Sequence, residues 1–351
     1  MKKGDYYGEG VIAGEWIQAN LDSDIAKYTL QTSEHEPTEI QTKRKRLTQS
    51  INGLPSPIEL QHLAENGSTD FASLVYLRAL TDEFNNLSWQ KKSYALSNNL
   101  DSIANKNNIQ RLFEKYHALL IPGWHWKSRS DTGADLKFQR KVLASYGLQS
   151  SLVETNEHGS VEENSEIIAN SIKEALSLKK SVILISVSKG GADTAFAIGH
   201  VLDTNDYPYL KGWLNIGGMI SGSTLVELEM NSPAEWLTSI GFSTDTPLTA
   251  VKSLQRDDVS YRSNLINYPN DMTIVNYVAV PFKSNLSTNA KYSYSKLAKY
   301  GPNDGAALIH EMLVPETHTV VEIGLDHFMR SLRAMRRAIA LLYLIMEEEE
   351  S

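Results

Sequence analysis

The chain has 351 residues, of which 41% are hydrophobic, a formal net charge of −8 and no cysteine. This length and hydrophobic content suit one large globular domain or two smaller ones. The negative charge argues against a general nucleic-acid-binding protein, and the lack of cysteine excludes disulfides, thiolate metal sites and cysteine nucleophiles.

The first part of the chain, residues 1–114, is polar and patchily helical, and we interpret it as an N-terminal extension without a recognisable motif. Within it, Phe71–Phe84 has leucines three apart, which predicts a helix.

Lys2 and Lys3 are not followed by an apolar run, so we expect a cytoplasmic protein; a secretory signal removed earlier would leave the same sequence. The longest apolar stretch, Ala338–Met346, is too short to span a bilayer.

Residues 115–351 alternate between strand-like and helix-like segments, which predicts a domain with a mostly parallel sheet covered by helices. The predicted strands are His117–Ile121, Leu148–Glu154, Val182–Ile185, Leu210–Ile216, Met272–Val280 and Thr317–Ile323. The predicted helices are Asp135–Tyr146, Ser165–Leu178, Ala192–Leu202 and Phe328–Met346.

Residues 223–271 interrupt this alternation, and we interpret them as a mostly helical cap over the site, since a structureless loop of that length is unusual in a compact domain. The apolar residues of this segment include Trp236, Leu237, Phe242, Leu254 and Leu265.

The strand predicted at Val182–Ile185 leads into a turn of small residues centred on Ser188, and a helix follows. A strand, a sharp turn with a central serine and a helix form the layout of a nucleophile elbow, usually written G-x-S-x-G. Here Ser186 stands in place of the first glycine and Gly190 in place of the second. Ser186 is the rival nucleophile, but it would bring the bulky Leu184 to a position that requires a small residue. The alternative interpretation is a loop that binds phosphate at a helix N-terminus.

A serine nucleophile needs a base to accept its proton and an acid to orient that base, in the chain order nucleophile, acid, base. His327 follows the last predicted strand and is our candidate base. Asp304, in the turn Gly301–Gly305, is the candidate acid. Asp326 ranks lower because it adjoins His327 and cannot easily reach the ring, and Glu227 is the reserve acid. His327 and Asp304 also have structural alternatives: His327 as a cap of the final helix, and Asp304 as a turn residue beside Gly305.

An oxyanion hole takes one backbone N–H from the residue after the nucleophile and another from the loop after an early strand. By these rules, the backbone N–H groups of Lys189 and Trp124 are the candidate donors of the oxyanion hole. The alternative for Trp124 and Trp126 is ordinary aromatic packing.

With these residues in place, the chain resembles the α/β-hydrolase superfamily, and most of all its bacterial lipase- and esterase-like members. The resemblance covers residues 116–346 and lies in a P-G-W loop, an S-K-G-G elbow, a G-P-N-D-G turn and a D-H-F segment. It implies a triad of Ser188, Asp304 and His327, hydrolysis through an acyl-enzyme, and neither metal nor cofactor. Ser186 and the N-terminal extension depart from the family pattern.

The resulting hypothesis is a serine hydrolase, esterase- or lipase-like, that cleaves small-molecule or lipid carboxylic esters. Thioester or amide hydrolysis is a variant of it, and a noncatalytic binding protein of the same fold is the alternative. The sequence determines neither the acyl chain length nor the oligomeric state. The remaining histidines lack metal-binding spacing and are interpreted as structural; they include His35, His62, His125, His158 and His200.

Overall fold

The computed structural model describes residues 6–31, 36–177, 180–203, 209–230, 232, 246–256, 268–269 and 272–350. The chain forms two compact units. The first unit comprises Met1–Lys91, Val278–His310 and His318–Arg330, and the second comprises Lys92–Tyr277, Glu311–Thr317 and Ser331–Ser351. The predicted domain boundary between residues 114 and 115 stays a prediction.

A six-stranded sheet forms the centre of the fold. Its strands are β3 (Tyr116–Ile121), β4 (Gln149–Leu152), β5 (Ser181–Val187), β6 (Leu210–Ile216), β7 (Thr273–Val280) and β8 (His318–Ile323). The strand order is β4-β3-β5-β6-β7-β8, and the pairs β3/β4, β3/β5, β5/β6 and β6/β7 are parallel. The predicted mostly parallel sheet is therefore confirmed.

The central strand β5 is buried on both faces, as expected for a parallel sheet covered by helices. Val182, Ile183 and Leu184 are fully buried in it. In the register of the sheet, Val187 at the end of β5 lies beside Ile216 at the end of β6. The loops after these two strands therefore begin next to each other, at the edge where such sheets place their sites.

The second unit also contains α-helices, several of which pack on the sheet. Those that the structure describes are Lys92–Asn98 (the end of Asn86–Asn98), Ile103–Phe113, Lys137–Ser145, Val161–Ser177, Lys189–Phe196, Thr224–Glu229, Leu248–Lys252 and Leu332–Glu348. The helix predicted from Ser165 begins earlier, at Val161, because Ser160 and Glu163 exchange side-chain-to-backbone hydrogen bonds of 2.9 and 3.1 Å in a capping box. The last helix begins later than predicted, because Ser331 caps it.

The first unit contains a hairpin that the sequence analysis did not predict. Its antiparallel strands are β1 (Tyr7–Ile12) and β2 (Glu15–Asn20). Ala13 and Gly14 join them with φ angles of 53° and 77°, the positive values that tight hairpin turns require. An alanine at positive φ is uncommon, so the turn carries no strong sequence signal.

The helices of the first unit include the predicted one, which spans Thr69–Asp82. The others that the structure describes are Asp24–Gln31, Thr38–Thr48, Pro57–Asn66, the start of Asn86–Asn98, and Thr288–Leu297.

The predicted cap is described only in part, with short helices at Thr224–Glu229 and Leu248–Lys252. Leu254 is fully buried. The other apolar cap residues named above, Trp236, Leu237, Phe242 and Leu265, lie outside the described residues. No helix in the described ranges has the length and apolar character needed to cross a membrane.

Candidate active site

Ser188 occupies the sharp turn between β5 and the helix Lys189–Phe196. Its φ and ψ angles are 53° and −127°, a strained conformation for a residue with a side chain, which costs about 1–3 kcal/mol. The backbone is held by three hydrogen bonds: Ser188 N–H donates to the Ile216 carbonyl at 3.1 Å, and the Ser188 carbonyl accepts from Gly191 at 2.9 Å and Met219 at 3.2 Å. The strain is thus maintained by the surrounding turn.

The glycines after Ser188 are required by space. A Cβ atom on Gly190 would lie 2.4 Å from the Pro122 carbonyl oxygen, and one on Gly191 would lie 2.4 Å from Gly218 Cα. The helix therefore begins in close contact with two neighbouring loops, as the elbow pattern requires.

Ser186 has a different environment from Ser188. It is fully buried in the sheet, and its hydroxyl accepts a 2.8 Å hydrogen bond from the indole N–H of Trp213. This position favours Ser188 over Ser186 as the nucleophile.

Lys189 supplies a structural ion pair that the sequence analysis missed. Its ammonium lies 2.6 and 2.9 Å from the two carboxylate oxygens of Asp193, and both side chains are only 2% exposed. The Asn164 amide also donates to Asp193, at 2.9 Å. The side chain of Lys189 is therefore held within its own helix by the ion pair with Asp193. Its backbone N–H is at the first position of that helix, where such groups have no carbonyl partner within the helix.

The loop that carries Trp124 passes beside Ser188. A Cβ atom on Gly123 would lie 3.3 Å from Ser188 Cβ, and Gly123 N–H donates to the Ala134 carbonyl at 3.2 Å. The Trp126 indole donates to the Thr155 carbonyl at 3.1 Å, so this ring anchors the loop. Trp124 itself is 8% exposed.

In the first unit, Asp304 and His327 form a close pair. Asp304 Oδ2 lies 2.6 Å from His327 Nδ1, and the carboxylate is fully buried. Asp304 Oδ1 accepts the backbone N–H groups of Ala306 at 2.8 Å and Ala307 at 3.0 Å, while His327 N–H donates to the Asp304 carbonyl at 2.8 Å. Both the carboxylate and the ring are thereby fixed in orientation.

The charge of Asp304 also sets the protonation of His327. Burial lowers the pKa of His327, but the charge and hydrogen bond of Asp304, with a smaller effect of the Asp326 charge, outweigh it. The pKa of His327 is therefore raised above its usual value.

The two rival acids have other surroundings. Asp326 uses one carboxylate oxygen to accept the N–H of Ser287 at 2.7 Å and the other to accept that of Phe328 at 3.2 Å. Glu227 is exposed on the helix Thr224–Glu229. The structure thus brings Asp304 onto His327 and gives Asp326 a structural task in the loop. Ser188 belongs to the second unit and the Asp304–His327 pair to the first.

Three other side chains of the second unit, which the sequence analysis treated as unrelated, lie together. Potential ligand atoms of His125, Glu157 and His158 are all within 4.8 Å of one another. Burial and the neighbouring His158 lower the pKa of His125 to about 4. For Glu157, burial raises the pKa, but hydrogen bonds from Ser128 outweigh it, so that this pKa is lowered overall.

Comparison with solved structures identifies the fold. A carboxyl esterase from a metagenome superposes with a TM-score of 0.54 at 20% sequence identity, over 67% of this chain and 76% of that one. The chain has an α/β-hydrolase fold.

Other structures similar to this α/β-hydrolase fold include the mature form of a Bacillus licheniformis lipase, with a TM-score of 0.49 and 24% identity over 61% of this chain and 86% of that one. A monoglyceride lipase from Saccharomyces cerevisiae has a TM-score of 0.42 and 12% identity, over 67% and 87%. No family model matches the sequence, and no curated protein is significantly similar to it.

Proposed function

We propose that the chain is a serine carboxylester hydrolase with Ser188 as nucleophile, His327 as general base and Asp304 as orienting acid. The observation that carries the proposal is the strained Ser188 at the end of β5, with φ at 53°. Strain of this kind persists where the surrounding structure enforces it, and it concentrates at functional sites. The buried Asp304–His327 pair supplies the matching base and acid.

In the first half of the reaction, the Ser188 hydroxyl attacks the acyl carbon of the ester. His327 Nε2 accepts the hydroxyl proton as the new C–O bond forms. Asp304 accepts the hydrogen bond from Nδ1–H, which fixes the tautomer with Nε2 unprotonated and stabilises the imidazolium that results. The tetrahedral intermediate then collapses: the bond to the alcohol oxygen breaks, and His327 returns its proton to the leaving alcohol.

In the second half, water attacks the acyl-enzyme. His327 Nε2 takes a proton from the water, and the second tetrahedral intermediate releases the carboxylic acid as the proton passes back to Ser188. Each half-reaction therefore restores the charge of the site, and the reaction requires no reactant besides the ester and water.

The oxyanion of both intermediates is stabilised by the backbone N–H groups of Lys189 and Trp124. Donors of this type are worth about 2.7–4 kcal/mol each, since they point at charge that develops in the transition state. The backbone of Gly123 comes so close to Ser188 that a Cβ atom on Gly123 would lie 3.3 Å from Ser188 Cβ. This close approach supports the assignment of the adjoining Trp124 N–H to the oxyanion hole.

The substrate class that fits is a small-molecule or lipid ester. The metagenomic protein that shares the fold is named a carboxyl esterase, and the same residues of this chain would serve a thioester or an amide. A panel of esters, thioesters and amides with one acyl group distinguishes these leaving groups by kcat/KM.

Labelling with a fluorophosphonate tests the nucleophile. We expect mass spectrometry to locate the adduct on Ser188, and Ser188→Ala to lower kcat by roughly 10⁴–10⁶-fold, as loss of a triad nucleophile does. Ser186→Ala is the matched control and should still be labelled. Labelling on Ser186 would contradict the assignment, and a folded protein with neither label nor turnover would point to the noncatalytic binding alternative.

A further inference from the structure

A second cluster of polar side chains lies on the loop that carries Trp124 and in the turn that follows β4. His125 directly follows Trp124, and Glu157 and His158 lie in the turn. Their potential ligand atoms are all within 4.8 Å of one another. His125 is fully buried, whereas the side chains of Glu157 and His158 are 16% and 32% exposed. The cluster therefore has a rigid inner side and an outer side open to solvent.

Glu157 already holds the loop in position. Its Oε2 atom accepts the backbone N–H groups of Lys127 at 3.1 Å and Ser128 at 2.8 Å. Its Oε1 atom lies 3.7 Å from His158 Nε2, which is beyond hydrogen-bond distance. The other ring nitrogen, His158 Nδ1, is buried and has no hydrogen-bond partner within the described part of the chain. A buried polar atom without a partner costs about 1–3 kcal/mol, and a cation bound through Nδ1 would remove that cost.

His125 has a hydroxyl beside each ring nitrogen. Nδ1 is 3.3 Å from Ser128 Oγ, and Nε2 is 3.1 Å from Thr246 Oγ1. Whichever nitrogen binds an ion, the other keeps a hydrogen-bond partner. Outer partners of this kind are the normal support of histidine ligands, because they fix the tautomer and the orientation of the ring.

We propose that His125, Glu157 and His158 bind a divalent transition-metal ion, with zinc as the best match. Two imidazoles and one carboxylate form a recognised zinc ligand set, with a fourth position left for water. A tetrahedral ion requires ligand bonds of about 2.0–2.2 Å. The ligand atoms must therefore approach one another, and movement of the His158 side chain, which is 32% exposed, would allow this while Glu157 Oε2 keeps its two backbone hydrogen bonds.

A bound ion would connect two segments of the second unit. It would fasten the loop that carries Trp124 to the turn at residues 156–159, in addition to the contacts of Glu157 and of the Trp126 indole. The inference does not depend on the proposed hydrolase activity, because binding is measured on the protein alone. The sequence analysis assigned the two histidines structural roles, since they are far apart in the sequence and show no metal-binding spacing.

Titration of chelator-treated full-length protein tests the site. Zn²⁺ binding is measured by calorimetry and Co²⁺ binding by visible absorption. All proteins in the test carry Ser188→Ala, so that hydrolysis does not contribute to the signal. We expect one Zn²⁺ per chain and the absorption bands of tetrahedral Co²⁺. His158→Ala and Glu157→Gln should each weaken binding by more than about 100-fold, since loss of an outer partner alone typically costs 10–100-fold. Thr246→Val, which removes such a partner, should fall within that 10–100-fold range.

His62→Ala is the matched control, because this histidine is exposed on the helix Pro57–Asn66 and should leave binding unchanged. Circular dichroism checks that each variant folds. Three results would overturn the proposal: no stoichiometric Zn²⁺ binding to the parent protein, equal affinities of the parent, His158→Ala and Glu157→Gln proteins, or loss of binding in His62→Ala. Any of them would leave the His125–His158 contact as ring packing, with centroids 4.8 Å apart.

Discussion

Two aspartates near His327 have different environments and therefore different expected roles. Asp304 is fully buried and contacts Nδ1 at 2.6 Å, whereas Asp326 uses both carboxylate oxygens to accept backbone N–H groups of Ser287 and Phe328. The direct contact with Nδ1 allows Asp304 to fix the tautomer of the ring. Asp326 acts at a distance, through its charge, which helps to raise the pKa of His327.

At this scale we predict the effect of Asp304→Asn. The amide favours the wrong imidazole tautomer, so kcat/KM should fall by about 10³–10⁴-fold while the fold is retained. Ester hydrolysis and circular dichroism measure the two quantities. Glu227→Gln is the control and should have almost no effect, because Glu227 is exposed on its helix. A silent Asp304→Asn together with an inactive Glu227→Gln would show that the acid is misassigned.

At the scale of the element, the helix after Ser188 is supported by a buried ion pair. Lys189 and Asp193 lie one turn apart in it, and Asn164 of the helix Val161–Ser177 donates to the same carboxylate. Burying two charges is expensive unless they are paired. Any rearrangement of the helix that separates Lys189 from Asp193 therefore costs free energy. The pair in this way stabilises the turn at Ser188.

We predict that breaking this pair on one side destabilises the protein strongly. Asp193→Ala leaves the Lys189 ammonium buried without its partner and should cost about 3–5 kcal/mol. The double variant Lys189→Met with Asp193→Leu should cost less, about 1–3 kcal/mol, because neither charge of the pair is then left buried without the other. Urea unfolding gives the free energies. Lys115→Met is the matched control: its partner Glu350 is exposed, so the loss should be at most about 1 kcal/mol. A double variant as unstable as Asp193→Ala would contradict this account.

At the scale of the whole molecule, the sheet could be predicted from the sequence, and the fine structure around the site could not. The segment Leu210–Ile216 predicts a strand, and the observed strand has the same bounds. The turn residues of the site also follow from the pattern, since Ser188 lies between a strand and a helix with Gly190 after it.

Most of the features that the sequence analysis did not predict depend on contacts between residues that are far apart in the chain. The cluster of His125 with His158 depends on how two loops approach in space, which no local pattern encodes. The hairpin of β1 and β2 turns at an alanine with positive φ, contrary to the usual preference for glycine or asparagine. The ion pair was missed because the predicted helix begins at Ala192, whereas the observed helix begins at Lys189 and so brings Lys189 and Asp193 one turn apart on the same helix. The catalytic roles of Ser188, Asp304 and His327 stay a proposal.

The insertion at residues 223–271 leads to the last prediction. It follows β6, whose end lies beside the end of β5 and hence beside Ser188. The described part is tied to the second unit, since Ser223 N–H donates to the Leu254 carbonyl at 2.8 Å and Val161 N–H to Ser253 Oγ at 3.0 Å. Apolar residues of this insertion, anchored next to the proposed nucleophile, should bind an acyl chain.

We therefore expect kcat/KM to rise along a series of p-nitrophenyl esters from acetate to longer acyl groups. Each buried CH₂ contributes about 0.8 kcal/mol, or about fourfold in kcat/KM, until the chain reaches the end of the apolar surface. The matched control is the same series with Trp124→Ala, which should flatten the rise if the indole lines the acyl site. A steady fall from acetate onwards in the parent protein would show that the cap residues pack only within the domain, as Leu254 does, and would indicate a short-acyl esterase.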